Sequence, residues 1–112
     1  MLKNICIIPA RKNSKRIKNK NIKKFLGKPI ISYAITMAIK SKIFDKVVVS
    51  TDSVKIKKIA EKFGATVPYL RNKNISDDFT STRDVLVDAV NQLNLDNKIN
   101  LFCLYPTAVL ID

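Results

Sequence analysis

Short apolar runs alternate with stretches of helical periodicity along the whole chain, and this alternation restricts the fold more than any other feature. Residues 4–9 (NICIIP) are rich in isoleucine and end on a proline, which reads as a buried parallel strand. Residues 46–50 (KVVVS) read as a second. Residues 65–70 (ATVPYL) read as a third, placed near a sheet edge because Pro68 cannot donate to a ladder. Residues 99–105 (INLFCLY) read as a fourth buried strand, ended by Pro106. Between these runs, residues 29–42 carry Ile31, Ala34, Ile35, Ala38 and Ile39 at helical spacing, with Pro29 suited to the first turn. A second helix aligns Val54, Ile56, Ile59, Ala60 and Phe63 opposite a lysine face. Asp52 or Ser53 is its N-cap and Gly64 its stop. A third spans residues 81–94, with Val85, Leu86, Ala89, Val90 and Leu93 on one face and Thr80 or Ser81 as cap. The order predicts an α/β fold of three α/β/α layers around a mostly parallel sheet. Ligands of such folds sit beyond the carboxyl ends of the strands, here in loops 10–28, 51–53, 71–80 and 106–112.

Composition narrows the class. The 112 residues suffice for one small domain, and 46% hydrophobic with 27% charged residues describes a globular chain, not a disordered one. No apolar run approaches the roughly 20 residues a membrane span needs. The apolar stretch near the start stops at Pro9, too short for a signal peptide, so a cytoplasmic location without a membrane partner is expected. Cys6 and Cys103 lie inside apolar runs and read as small buried hydrophobes, with neither metal nor disulfide spacing. The absence of histidine removes the commonest general base and zinc ligand. The net charge is +12. A composition rich in Lys, Asn and Ile accounts for most surface lysines. It does not account for the segment from Arg11 to Lys28, where nine of eighteen residues are Lys or Arg.

That segment is the strongest functional signal. It follows a strand and carries Arg11, Ser14, Lys15, Arg16, Lys20 and Asn21, groups that can hold a triphosphate together with backbone amides. It has neither the Walker pattern nor the glycines of a dinucleotide fingerprint, and a solvated basic loop is the alternative. Asp52, just beyond the second strand, can cap a helix, bind a ribose hydroxyl or hold a metal. In residues 69–85, Arg71, Asp77, Asp78, Thr80 and Thr82 share one loop and a helix start. The paired aspartates suit metal or acid–base work or plain solvation, and a cation leaving a strand end points toward the ligand crevice.

Six blocks, IIPARKNSKRIKNKNI (7–22), GKPIISYAI (27–35), FDKVVVSTD (44–52), FGATVPYLR (63–71), SDDFTST (76–82) and LYPTA (104–108), are similar in order and spacing to the acylneuraminate cytidylyltransferases. This family includes CMP-sialic acid synthetases and the enzymes that activate pseudaminic acid. The resemblance implies a Rossmann-like nucleotide-diphospho-sugar transferase fold. It implies transfer of CMP from CTP to the anomeric hydroxyl of a nine-carbon acidic sugar, with release of pyrophosphate and help from Mg²⁺. It makes Arg11, Lys15 and Lys20 the residues that carry catalysis by charge and position. Arg11, Ser14 and Lys15 match the triphosphate loop, Asn21 lies near the cytidine, and Arg71, Thr80 and Thr82 match positions around cytosine and ribose. Tyr105 stands where sialic acid enzymes usually carry Gln. This, with the SDDFTST block, is more like the pseudaminic acid enzymes. Lys12-Asn13 replaces a frequent Gly-Gly pair.

The resemblance also implies that residues 1–112 form the CTP-binding, N-terminal portion of a single domain. The Mg²⁺ aspartates, sugar-binding residues and dimerising segment of the family lie downstream of the LYPTA block. The expectation is a homodimer at full length, and an inactive, marginally folded, aggregation-prone chain when these residues stand alone. Two other readings remain. One is a nucleotidyltransferase for another sugar acid, such as the Kdo-activating type. The other is a small basic nucleic-acid-binding protein, although aromatic-rich strands and a helix-turn-helix pattern are absent.

Overall fold

The sheet is built around β1 (Lys3–Pro9), whose Ile5, Cys6, Ile7 and Ile8 are all buried. A strand apolar on both faces must be covered on both, and the computed structural model supplies that cover. It describes residues 3–11, 24–71, 82–95 and 98–106. Along the chain, β1 is followed by a two-stranded hairpin, β2 (Lys24–Phe25) and β3 (Lys28–Pro29). Next come α1 (Ile30–Ser41), β4 (Lys46–Ser50), α2 (Val54–Lys62), α3 (Thr82–Leu93) and β5 (Ile99–Cys103).

The main sheet has the order β4-β1-β5, and both pairings are parallel. Ile7 sits beside Val48 on one side and Cys103 on the other. Successive strand residues face opposite layers. Cys6, Ile8, Val47 and Val49 join Ile31, Ala34, Ile35 and Ala38 of α1 and Ile56 and Ala60 of α2 in one core. Ile5, Ile7 and Val48 join Val85 and Ala89 of α3 in the other. The three-layer α/β/α arrangement with a mostly parallel sheet is therefore present. Each large aliphatic side chain fully buried in these cores contributes roughly 1.5–3 kcal/mol.

Several local expectations are corrected. The segment 10–28 is not loop throughout: β2 and β3 pair across Leu26 (φ 51°) and Gly27 (φ 85°), two successive positive φ values that define a type I′ hairpin turn. Pro29 closes β3 and is the N-cap of α1, one step before the first turn. Of the two expected caps of α2, Ser53 is the one used, as its hydroxyl accepts from the Ile56 N–H at 3.2 Å. Gly64, at φ 101°, does end that helix. Residues 65–70 are not a regular strand. They run alongside β4 through two isolated parallel bridges, Val48 with Thr66 and Thr51 with Leu70. Three steps along β4 correspond to four along this segment, the count of a one-residue bulge, and Pro68 lies inside it. The inserted residue switches faces: Ala65 and Val67 belong to the core under α1 and α2, whereas Tyr69 packs into the core under α3. Finally, β5 ends at Cys103 and is not fully buried. It lies at the edge of the sheet, its burial alternates, and Phe102 is 43% exposed, held edge-to-face against Phe44 at 5.3 Å.

Candidate functional site

In a sheet of this order, the strands on either side of β1 are reached by connections running in opposite directions. The carboxyl ends of β1 and β5 therefore open a crevice at a topological switch point. The residues that leave the strands there are Ala10 and Arg11 after β1, Thr51 and Asp52 after β4, Arg71 after the bulged segment, and Leu104 and Tyr105 after β5.

One backbone oxygen ties three of these exits together. The Ser50 carbonyl accepts from the Ala10 N–H at 2.8 Å and from Arg71 Nη2 at 3.1 Å. The Arg71 N–H in turn donates to the Thr51 carbonyl at 2.8 Å. Arg71 is thus buried, 6% exposed, and fixed at both its backbone and its guanidinium. Burial pushes its guanidinium below the usual arginine range. Asp52, then Tyr69 and Asp88, oppose that fall, and the neighbouring positive charge of Arg11 adds to it. Two guanidiniums close enough to repel, at the mouth of a crevice, are an arrangement that an anion relieves.

On the far side, Leu104 continues the β5 ladder by donating its N–H to the Ile7 carbonyl at 3.0 Å. The alternation then turns Tyr105 toward α3, where its hydroxyl hydrogen-bonds the Thr82 hydroxyl at the start of that helix. Tyr105 remains half-exposed. Burial first, and Cys103 second, raise its phenol above the usual tyrosine range.

Of the sequence-predicted residues, Arg11 and Arg71 lie within electrostatic reach of each other on the β1 and β4 side of the crevice, and Thr82 and Tyr105 meet on the β5 and α3 side. Ser14, Lys15, Arg16, Lys20, Asn21, Asp77, Asp78 and Thr80 lie outside the described residues. Asp52 lies near Arg71. Among the described residues no group of three or more His, Cys, Asp or Glu could hold a metal ion, so these residues do not by themselves fit a Mg²⁺ site. Nor is any described helix long and apolar enough to cross a membrane. Sequence reasoning missed Ser50, whose contribution is a backbone oxygen that no side-chain pattern reports. It also missed Asp88, although a carboxylate between Val85 and Ala89, on the border of an apolar helix stripe, was a readable signal.

The fold is that of a doubly wound α/β protein, with Arg11 and Arg71 beyond the carboxyl ends of its strands. The chain belongs to the cytidylyltransferase family, whose model matches residues 5–111. It is 50% identical over 113 residues to the pseudaminic acid cytidylyltransferase of Campylobacter jejuni serotype O:2, covering 99% of this chain and 49% of that protein. It is 40% identical to the Helicobacter pylori protein named pseudaminic acid cytidylyltransferase and UDP-2,4-diacetamido-2,4,6-trideoxy-beta-L-altropyranose hydrolase, over 96% of this chain and 21% of that one. Among solved structures, CMP:2-keto-3-deoxy-manno-octonic acid synthetase complexed with CTP superposes with a TM-score of 0.74 at 25% identity, covering 93% of this chain and 40% of that one. The chain thus spans about half the length, or less, of the relatives it matches.

Proposed function

We propose that this chain is the CTP-binding part of an enzyme that transfers CMP from CTP to the anomeric hydroxyl of a nine-carbon acidic sugar of the pseudaminic acid type. In that reaction the anomeric oxygen bonds to the α-phosphorus, and the bond from that phosphorus to the α,β-bridging oxygen breaks. Pyrophosphate leaves with the electron pair, and the hydroxyl proton is lost to solvent in the net reaction. The single observation that carries the reading is that Arg71, bonded to the Ser50 carbonyl, lies within electrostatic reach of Arg11 at the carboxyl end of a parallel sheet. The relatives' names support the nucleotide and the sugar class. Chemistry of this kind depends on holding and neutralising the phosphates more than on a covalent intermediate. Arg11 serves that end, with Lys15 and Lys20 as its partners in the reading. Arg71, with Thr80 and Thr82, reads the base, and Tyr105 lies toward the sugar.

The test is pyrophosphate release by the full-length enzyme with Mg²⁺, using CTP or UTP and either pseudaminic acid or N-acetylneuraminic acid. A site built to hydrogen-bond one base edge leaves buried groups unpaired with another. Turnover is expected with CTP and pseudaminic acid. Equal turnover of CTP and UTP removes the base assignment, and preference for N-acetylneuraminic acid removes the sugar assignment.

A further inference from the structure

The start of α3 and the exit of β5 are joined by a direct side-chain contact across 23 residues: the hydroxyls of Thr82 and Tyr105 are hydrogen-bonded to each other. The fold sets both ends of this link. On α3, Val85 and Ala89 are buried against Ile5, Ile7 and Val48, and Leu86 packs beside them. Thr82 stands three residues before Val85 and four before Leu86, so it lies on the same face of the helix, one turn nearer its start. A helix that leads into a parallel strand runs back along the sheet, so α3 begins over the carboxyl ends of the strands. On β5, Ile99 and Leu101 pack into the same core, and the alternation runs on through Cys103 to Tyr105.

Tyr105 is therefore held along its length. The Leu104 N–H, donating to the Ile7 carbonyl at 3.0 Å, fixes the backbone before it, and the buried Pro106 follows it. A tyrosine side chain has only two torsions, and a tether at its far end restrains both. The residue is nevertheless half-exposed at the crevice. Its oxygen also keeps bonding capacity, since a hydroxyl offers one proton and two lone pairs and the bond to Thr82 takes one of these. The phenol, raised by burial and then by Cys103, stays protonated in the neutral range, so it can donate as well as accept.

We infer that Thr82 is a positioning residue for Tyr105, whose hydroxyl it holds in the orientation in which the phenol meets the acidic sugar. The inference rests on the proposed function, which places Tyr105 toward the sugar. It gives the start of α3 a part on the sugar side of the reaction, in addition to the base side.

Steady-state pyrophosphate release by the full-length enzyme tests it, with CTP saturating and pseudaminic acid varied, and with ligand-free melting as a separate readout. Thr82→Val keeps the branched shape and removes the hydroxyl. It is expected to raise the KM for the sugar about three- to tenfold, the effect of losing one neutral hydrogen bond, and Thr82→Ser is expected to restore most of it. Tyr105→Phe breaks the same bond from the other end. In that background Thr82→Val is expected to change the sugar KM no further, because residues acting through one group are not additive. Thr82→Ala carries the same test should Thr82→Val fail to fold. A sugar KM unmoved by Thr82→Val, or raised equally with and without the Tyr105 hydroxyl, overturns the inference. So does a lower melting temperature with the sugar KM unchanged, which marks a purely structural bond. A normal sugar KM in Tyr105→Phe removes Tyr105 from the sugar subsite and overturns the inference while CMP transfer itself stands. No turnover of CTP with pseudaminic acid by the parent enzyme contradicts the proposed function, and the inference falls with it.

Discussion

At the scale of single residues, the crevice is organised by contrasts in burial. Arg71 is almost wholly enclosed and fixed by its bond to the Ser50 carbonyl, whereas Arg11 is only partly buried. On the proposed function, the buried member would provide direction, since its fork is restrained by the protein itself, and the more open one charge. Arg71→Lys keeps the charge and loses the fork, so it is expected to raise the Kd for CTP about tenfold. Titration calorimetry measures this directly, and an unchanged Kd would mean that a point charge suffices. Cys6 makes the opposite case, a nucleophile silenced by its surroundings. Burial, with a smaller effect of Cys103, raises its thiol from 9.0 to about 11. The neutral form is therefore favoured in the folded state. That contribution to stability is fully present below pH 9 and drains away as the pH rises toward 11. Iodoacetamide at pH 8 should therefore label Cys6 only on unfolding, and should reach the less buried Cys103 sooner. Rapid labelling of native Cys6 would contradict its place in the core.

At the scale of elements, regular pieces were legible and irregular ones were not. The run KVVVS became β4 with its expected bounds, because continuous β-branched residues suit a strand covered on both faces. The stripe of Val54, Ile56, Ile59, Ala60 and Phe63 became α2 with its stop at Gly64. A left-handed residue there suits glycine alone. An added Cβ meets the Ile39 Cδ1 at 3.0 Å, the tip of a half-exposed side chain that can move aside, so the cost of substitution lies in the backbone. Gly64→Ala is expected to destabilise the protein by roughly 1–2 kcal/mol in chemical denaturation, and a neutral result would mean the helix end relaxes. The hairpin across Leu26–Gly27 escaped sequence reading because its strands have two residues each, too few to show alternation. The segment 65–70 escaped for a different reason. Pro68 was read as a mark of a strand near the sheet edge, but the segment makes isolated bridges instead, and its bulge reverses the facing of the next residues. That reversal carries Tyr69 to the α3 side, and no periodicity in ATVPYLR announces it. INLFCLY was read as buried because its residues are apolar. Burial depends on neighbours, and β5 has β1 on one side only among the described residues.

At the scale of the whole molecule, the alternation of strands and helices was enough to give the layers and the parallel sheet. Which side chains come near one another beyond the carboxyl ends of its strands came from geometry. Arg11 and Arg71 stand sixty residues apart and come within electrostatic reach of each other, and Thr82 and Tyr105 meet on the other side. The central claim is that this crevice binds CTP through its guanidiniums. Titration calorimetry of the full-length enzyme with CTP, beside its Arg11→Ala variant, is the most direct measurement. A charge-assisted phosphate contact contributes on the order of 1.5–3 kcal/mol, so the variant should bind about ten- to a hundredfold more weakly, while melting at the same temperature without nucleotide. Equal affinity of the two proteins for CTP, or no saturable binding by either, would contradict the account.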